Sequence, residues 1–245
     1  MSNENAVRFL RSYNNIESRL KSLYNAKPTQ NFTDLVKRCS DLNITVRRYE
    51  SELVDYGKLR NAIVHRTTNM GETVIANPCD EVVQNIEFIE MLLCRPPRVT
   101  DAIKVKKIAT VFADKPLVTA VETFAEQWQK TLIVYDHGTM LGIINCYNLY
   151  GEIAARVRRG ENVTRFLTET RCGDVIHDEQ LQRYKVVSAE ATVVDVFTAF
   201  EERKDLVAVI VTENGRMGEK ALTIITPTDF PRINRYIESC GVKPF

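Results

Sequence analysis

Hydrophobic positions in the first ninety residues recur every three or four places. Phe9/Leu10, Tyr13, Ile16, Leu20 and Leu23/Tyr24 mark one helix, and Phe32, Leu35, Val36 and Cys39 a short second. Tyr49, Leu53, Tyr56, Leu59/Arg60 and Ile63 mark a third helix running to about His65. Asn77-Pro78 reads as a cap followed by proline at the first helical position, ahead of a fourth helix carried by Val82/Val83, Ile86, Ile89 and Leu93. The stretch 67–75, with Asn69 and Gly71, reads as a loop. Such stripes predict a helical bundle. At Arg95-Pro96-Pro97-Arg98 two prolines cannot continue the helix, which sets the expected boundary between a helical domain, 1–97, and a second domain, 98–245.

Beyond that boundary the pattern becomes mixed and repeats. The first unit reads strand Ile108–Phe112, helix Pro116–Gln129, strand Leu132–Tyr135, turn at Gly138, strand Leu141–Asn145 and helix Asn148–Arg158. The second reads strand Lys185–Val187, helix Thr192–Arg203, strand Val207–Thr212, turn at Asn214-Gly215, strand Ala221–Ile225 and helix Thr228–Ser239. Pro116 and Thr192 are 76 positions apart, whereas Asn148 and Asp229 are 81 apart, which fits a longer hairpin loop over Gly215–Lys220. Order, type and turn chemistry recur together, so the chain is read as α+β, a helical bundle followed by two βαββα units at about 99–160 and 165–245. Part of the connecting stretch Gly160–Tyr184 is expected to pack on the second unit, with Ile103–Lys107 in the matching role before the first.

Composition narrows the function classes. The net charge of +1 is spread evenly, with 13 Lys+Arg against 12 Asp+Glu up to Pro97 and 20 of each after it, so no field favours a polyanion. Cys39, Cys79, Cys94, Cys146, Cys172 and Cys240 show no CxxC pair and no histidine at metal-ligand spacing, so no metal site is expected. Scattered thiols without a signal-peptide pattern point to a reducing cytoplasm. No apolar run approaches the roughly 20 residues that span a bilayer, so no membrane association is expected.

The sharpest local motif is Ile225-Thr226-Pro227-Thr228-Asp229, a strand feeding a helix. A helix start offers free N–H groups and a positive dipole end to a phosphate. Thr226 and Thr228 add hydroxyls, and Asp229 can accept both hydroxyls of a ribose. The same residues also suit a helix cap, with Asp229 complementing the dipole, and the motif alone leaves both readings open.

The tandem βαββα unit ending in Thr226-Pro-Thr-Asp229, together with the strand start Lys130-Thr131-Leu132-Ile133-Val134-Tyr135-Asp136 before Gly138, resembles the CBS family over about residues 99–245. The resemblance implies two repeats packed sheet to sheet as a pseudo-twofold pair (a Bateman module) with two clefts, an adenine nucleotide (AMP, ADP or ATP) as regulatory ligand, and a homodimer. It implies that Thr226, Thr228 and Asp229 hold ribose and phosphate while adenine lies near Ala109, Thr110, Lys130, Thr131 and Leu132. Lys130 either reaches a phosphate or is a solvated side chain at a strand start. The mirror junction reads Asn145-Cys-Tyr-Asn148, with Lys185, Val186, Asp205 and Val207 as its cross-wall. Asn148 keeps an acceptor without the charge, so one competent site and one weak or empty site are expected.

Two further clusters read more plainly. Asp174, His177, Asp178 and Glu179 read as a solvated connector, and Arg156, Arg158 and Arg159 as charges placed at a helix C-terminus. Neither supplies a catalytic set.

In the helical half, Leu59-Arg60-Asn61-Ala62-Ile63-Val64-His65-Arg66 resembles the motif of HEPN domains, helical bundles many of which are metal-independent RNases acting as dimers. The resemblance implies Arg60 on the scissile phosphate and His65 as general base. Five residues apart on an ideal helix, the two point about 140° apart, so a second subunit would have to complete the site. An ion pair of Arg60 with Asp55 or Glu52, and His65 as a C-terminal cap, are the plainer alternatives. The expected function is nucleotide sensing by the repeat pair. A nucleotide-controlled RNase and an interaction module with empty clefts stand as the alternatives.

Overall fold

Phe9, Tyr13, Ile16 and Leu20 line one face of a helix that runs unbroken over Glu4–Leu23 (α1), and all four are buried. A computed structural model describes residues 3–27, 29–68, 71–74, 76–103, 108–176 and 183–240, with backbone alone at 65–68 and 71–74. After α1 come α2 (Phe32–Ser40), α3 (Ile44–Arg48), α4 (Glu50–Ile63), a hairpin of β1 (Val64–Thr68) and β2 (Gly71–Val74), α5 (Asp80–Cys94) and α6 (Val99–Ala102). Two compact units emerge: Met1–Pro97 with Thr192–Thr198 and Asn234–Phe245, and Arg98–Ala191 with Ala199–Ile233.

In the helical unit, α1, α2, α4 and α5 enclose one core around Phe9, Ile16, Leu35, Leu53, Ile63, Ile86 and Ile89. The Phe9 ring meets Tyr56 edge-on at 5.6 Å and Tyr13 packs on Phe32 at 4.5 Å. Gly57 lets α4 approach α2, since a Cβ there would meet the Phe32 ring at 3.2 Å.

Three features depart from the sequence reading. First, α4 stops at Ile63, because Val64 turns to extended backbone, and residues 64–68 and 71–74, expected as helix end and loop, pair as antiparallel strands. Second, α5 starts at Asp80 behind Cys79, and Asn77 instead accepts the Ala6 N–H at 2.8 Å, capping α1 from across the fold. Third, α3 escaped the periodicity reading; its five residues are fixed by Asn43, whose side chain accepts from the N–H groups of Thr45 and Val46.

The second unit repeats one order twice. β3 (Thr110–Phe112), α7 (Leu117–Gln127), β4 (Thr131–Asp136), β5 (Thr139–Asn145) and α8 (Cys146–Arg158) form the first copy, followed by α9 (Val163–Glu169). β6 (Tyr184–Ser188), α10 (Val193–Glu202), β7 (Ala208–Thr212), β8 (Ala221–Ile225), a 3-10 turn at Pro227–Asp229 and α11 (Phe230–Cys240) form the second. Each sheet has its first strand parallel to the middle one and the third antiparallel to it. Leu132 and Val134 of β4 pack toward the helices with Leu117, Ala120 and Ile144, while Ile133 packs with Met140, Ile210 and Ile224 between the two sheets. The middle strands are buried on both faces, which is why they read as continuous apolar runs.

The connecting stretch is shared between the repeats. Phe166, Leu167, Cys172, Val175 and Ile176 join the helix-side core of the first repeat, whereas Arg183 and Tyr184 pair with the second. The cause is backbone pairing: Leu117 N–H donates to the Thr170 carbonyl and Cys172 N–H to the Lys115 carbonyl, both at 2.8 Å. Residues 104–107 and 177–182, and with them His177, Asp178 and Glu179, lie outside the described residues.

The two hairpins differ. β4 and β5 join through His137 and Gly138, both at positive φ (46° and 87°), which suits a two-residue turn. The β7–β8 loop is longer and is organised by Glu219, whose carboxylate accepts the Asn214 N–H and side-chain amide, both at 2.9 Å. These bonds, with a further one from Thr212, hold the Glu219 carboxyl down at about 2. A depressed folded value means the loop's contribution is complete above the ordinary carboxylate value of 4.5 and is lost as pH falls toward 2. An NMR titration of the Asn214 amide is expected to report that midpoint; one near 4.5 would refute it.

Candidate functional site

β8 ends at Ile225, and Thr226 keeps extended backbone before Pro227 opens the 3-10 turn. Proline fits there because the first helical position needs no N–H. Asp229 comes next to α11 and is buried, with 8% of its surface exposed. One carboxylate oxygen, Oδ2, accepts both the Thr226 N–H at 2.9 Å and the Thr226 hydroxyl at 3.0 Å. The Thr226 and Thr228 hydroxyl oxygens are 2.7 Å apart. Because Thr226 gives its proton to Asp229, Thr228 is the donor between the two threonines. The three side chains are thus one chain of hydroxyls ending on a carboxylate. Capping and ligand binding draw on the same atoms here: a ribose hydroxyl can replace the Thr226 hydroxyl on Oδ2, one hydrogen bond exchanged for another.

Four of the five wall residues gather where β3 and β4 begin. Ala109 is buried; its N–H donates to Gln129 Oε1 at 3.2 Å, and its carbonyl accepts the Ile133 N–H at 3.0 Å. Thr110 is exposed on β3. Thr131 is buried and its hydroxyl accepts from Asn145 Nδ2 at 2.9 Å. Lys130 is exposed, its Nζ 5.7 Å from the Tyr147 ring centroid and 3.5 Å from Tyr147 Oη. Leu132 is set apart, its side chain lying in the helix-side core. The sequence reading missed Gln129 and Tyr147; the only signal for either was its place beside Lys130 or between the two asparagines.

At the mirror junction Asn145 is the N-cap of α8, accepting the Tyr147 N–H at 3.0 Å while its amide donates to Thr131. Asn145 is therefore committed to the helix and to β4. Asn148 is half-buried in the first turn. Among the cross-wall residues, Lys185 stands 4.0 Å from Glu202, Asp205 pairs with Arg203 at 3.5 Å, the Val207 N–H donates to the Arg183 carbonyl at 2.7 Å, and Val186 packs between the sheets.

In the helical unit, Arg60 lies in the last turn of α4 and close enough to Tyr13 to offset part of the rise that burial gives the Tyr13 hydroxyl. His65 lies on β1, so the 140° separation expected on a continuous helix does not apply; its side chain is outside the described residues. Asp55 pairs with Lys58 at 2.8 Å. Asp174 accepts the Arg171 N–H at 3.0 Å within its turn. Arg156 does more than sit at a helix end: it pairs with Glu152 and lies 3.6 Å over the Phe166 ring, while Arg159 pairs with Glu161. Among the described residues no three His, Cys, Asp or Glu side chains are grouped to hold a metal ion, and no helix is long and apolar enough to cross a membrane.

No family model and no curated protein matches the chain. Among solved structures, CBSX2 in complex with AMP is similar at a TM-score of 0.45 and 18% identity, over 58% of this chain and 98% of that one. The CBS domain pair of protein MJ0100, in complex with 5′-methylthioadenosine and S-adenosyl-L-methionine, gives 0.41 and 15% over 58% and 98%. The CBS-domain containing protein ATU1752 from Agrobacterium tumefaciens gives 0.41 and 18% over 57% and 97%.

Proposed function

We propose that residues 98–245 are a pair of CBS repeats that binds one adenine nucleotide and regulates the helical domain, 1–97, or a homodimer. The observation that carries this reading is the duplicated order β-α-β-β-α in which the second copy, unlike the first, puts a carboxylate, Asp229, into the turn that leads into its closing helix. Asp229 takes the ribose diol, Thr228 and Thr226 reorient toward a phosphate, and Lys130, beside Ala109, Thr110 and Thr131, supplies a cation from the first repeat. Ligand binding favours one relative angle of the repeats over others, and that difference in affinity is the regulatory signal.

Isothermal titration of the full chain with AMP, ADP and ATP tests this reading. One nucleotide per chain is expected; no heat with any of the three overturns it. The mirror junction adds a second prediction. Asn148→Asp restores the missing charge, and a second, weaker binding event is expected in that variant.

For the homodimer, α8 offers the face. Tyr147, Tyr150 and Val157 are 66%, 71% and 61% exposed, with Gly151 and Ala154 between them. The matching positions of the second repeat, 81 residues on, are Thr228, Pro231, Arg232, Arg235 and Glu238. The same helix face is polar in one copy and apolar in the other, a difference that solvent exposure alone does not explain. Sedimentation velocity is expected to show a dimer that Ala154→Arg converts to monomer; a monomeric parent refutes it.

A second reading, a metal-independent RNase, is favoured by one observation: the helix exit at Ile63 releases His65 from the rigid angle that would separate it from Arg60. RNA cleavage in EDTA, lost in His65→Ala, is the expected result; an inactive parent removes the reading.

A further inference from the structure

The longer of the two hairpin loops reaches the other repeat through its backbone. In the loop between β7 and β8, the Gly218 carbonyl accepts the Met140 N–H of β5 at 3.2 Å. At the start of β8 the Ala221 N–H donates to Tyr135 Oη at 3.0 Å.

The crossing loop is built, not draped. Glu219 gathers Asn214 and the Arg216 N–H, at 3.4 Å, onto one carboxylate. The Gly215 N–H donates to Thr212 Oγ1 at 3.0 Å. Gly215 has φ 75°, and a Cβ there would come within 2.8 Å of the Ser188 nitrogen, so no other residue fits without moving backbone. Gly218, at φ 86°, sits against Thr139. Two positive-φ glycines and a carboxylate accepting from three residues, Thr212, Asn214 and Arg216, fix the shape in which the Gly218 carbonyl is presented.

We propose that residues 213–220 are a strap that pins the hairpin ends of the two sheets together and makes that end the pivot of the repeat pair. Both strand–helix junctions, at Asn145 and at Thr226, lie at the opposite ends of their strands. Relative motion of the repeats is then largest where the junctions are and smallest at the strap. The strap rests on contacts in hand and stands whether or not the junctions bind nucleotide.

Amide hydrogen exchange on the full chain, without nucleotide, tests it. Glu219→Gln removes the charge that gathers the loop, and the Met140 amide is expected to exchange about tenfold faster, the effect of losing one charge-assisted hydrogen bond, while Val209 inside the second sheet is unchanged. Tyr135→Phe leaves the loop intact and removes one strap bond, so it serves if Glu219→Gln fails to fold; there the Ala221 amide alone is expected to speed up. Unchanged exchange at Met140 in the first variant, or at Ala221 in the second, overturns the strap. Equal acceleration at Met140 and Val209 also overturns it, because it reports loss of the whole sheet.

Discussion

Replacing Asp229 by alanine is expected to weaken adenine-nucleotide binding about a hundredfold, the loss of two hydrogen bonds between a ribose diol and a carboxylate at ~1.5 kcal/mol each. The same substitution also removes the acceptor for the Thr226 N–H and hydroxyl. Losing a cap of this kind costs about 1 kcal/mol of stability on its own, so the unliganded variant melts lower whatever the ligand does. The two roles separate in a thermal-shift titration. A ligand that binds only the folded state raises the melting temperature with its concentration, and the slope of that rise, not the starting temperature, reports the site. Asp229→Asn sharpens the contrast, because an amide oxygen still accepts from Thr226 while the charge is gone. That variant is expected to melt near the parent and to bind about tenfold more weakly, one charge-assisted hydrogen bond reduced to a neutral one. If Asp229→Ala lowers the starting temperature but keeps the ligand-dependent rise, Asp229 is a cap only and the nucleotide reading of this junction is lost.

The largest loss of stability is expected from Phe9→Ala in the helical unit. Phe9 is fully buried, edge-on to Tyr56 at 5.6 Å and stacked with Tyr13 at 6.5 Å. Truncation removes the ring's transfer free energy and leaves a cavity lined by rings too large to collapse into it, a cost of about 3–5 kcal/mol. Val7, on the same helix and 61% exposed, is the internal control, since Val7→Ala should change stability by less than ~0.5 kcal/mol. Calorimetric melts of the two variants give the comparison, and a Phe9→Ala protein as stable as Val7→Ala would show that the aromatic cluster is not where this unit gets its stability.

Much of this architecture was legible because the buried positions repeat with a period. The four long stretches of the helical half and the strands of both repeats carry that signal, and the offset of 81 correctly placed extra residues in the second hairpin. What stayed hidden depends on contacts between distant residues or on choices the period leaves open. Asn77 looks like a local cap, yet its partner, Ala6, is 71 residues away. Residues 64–74 are rich in β-branched side chains, but with no alternating apolar face they looked like a loop. Leu132 and Ile133 are equally apolar neighbours on one strand, and only the packing decides which faces the helices and which the other sheet. The Thr226–Asp229 network was visible as chemistry, but its double use as cap and as candidate ligand site is a property of atoms, not of the residue pattern.

The membership of the helical unit bears on how the protein is made. That unit takes in Thr192–Thr198 and the chain from Asn234 as well as the first 97 residues. The buried core of that unit, however, is drawn from residues 6–93 alone, all of which a ribosome delivers before the second unit. The N-terminal helices α1 to α5 can therefore close around that core while the later segments are still being made.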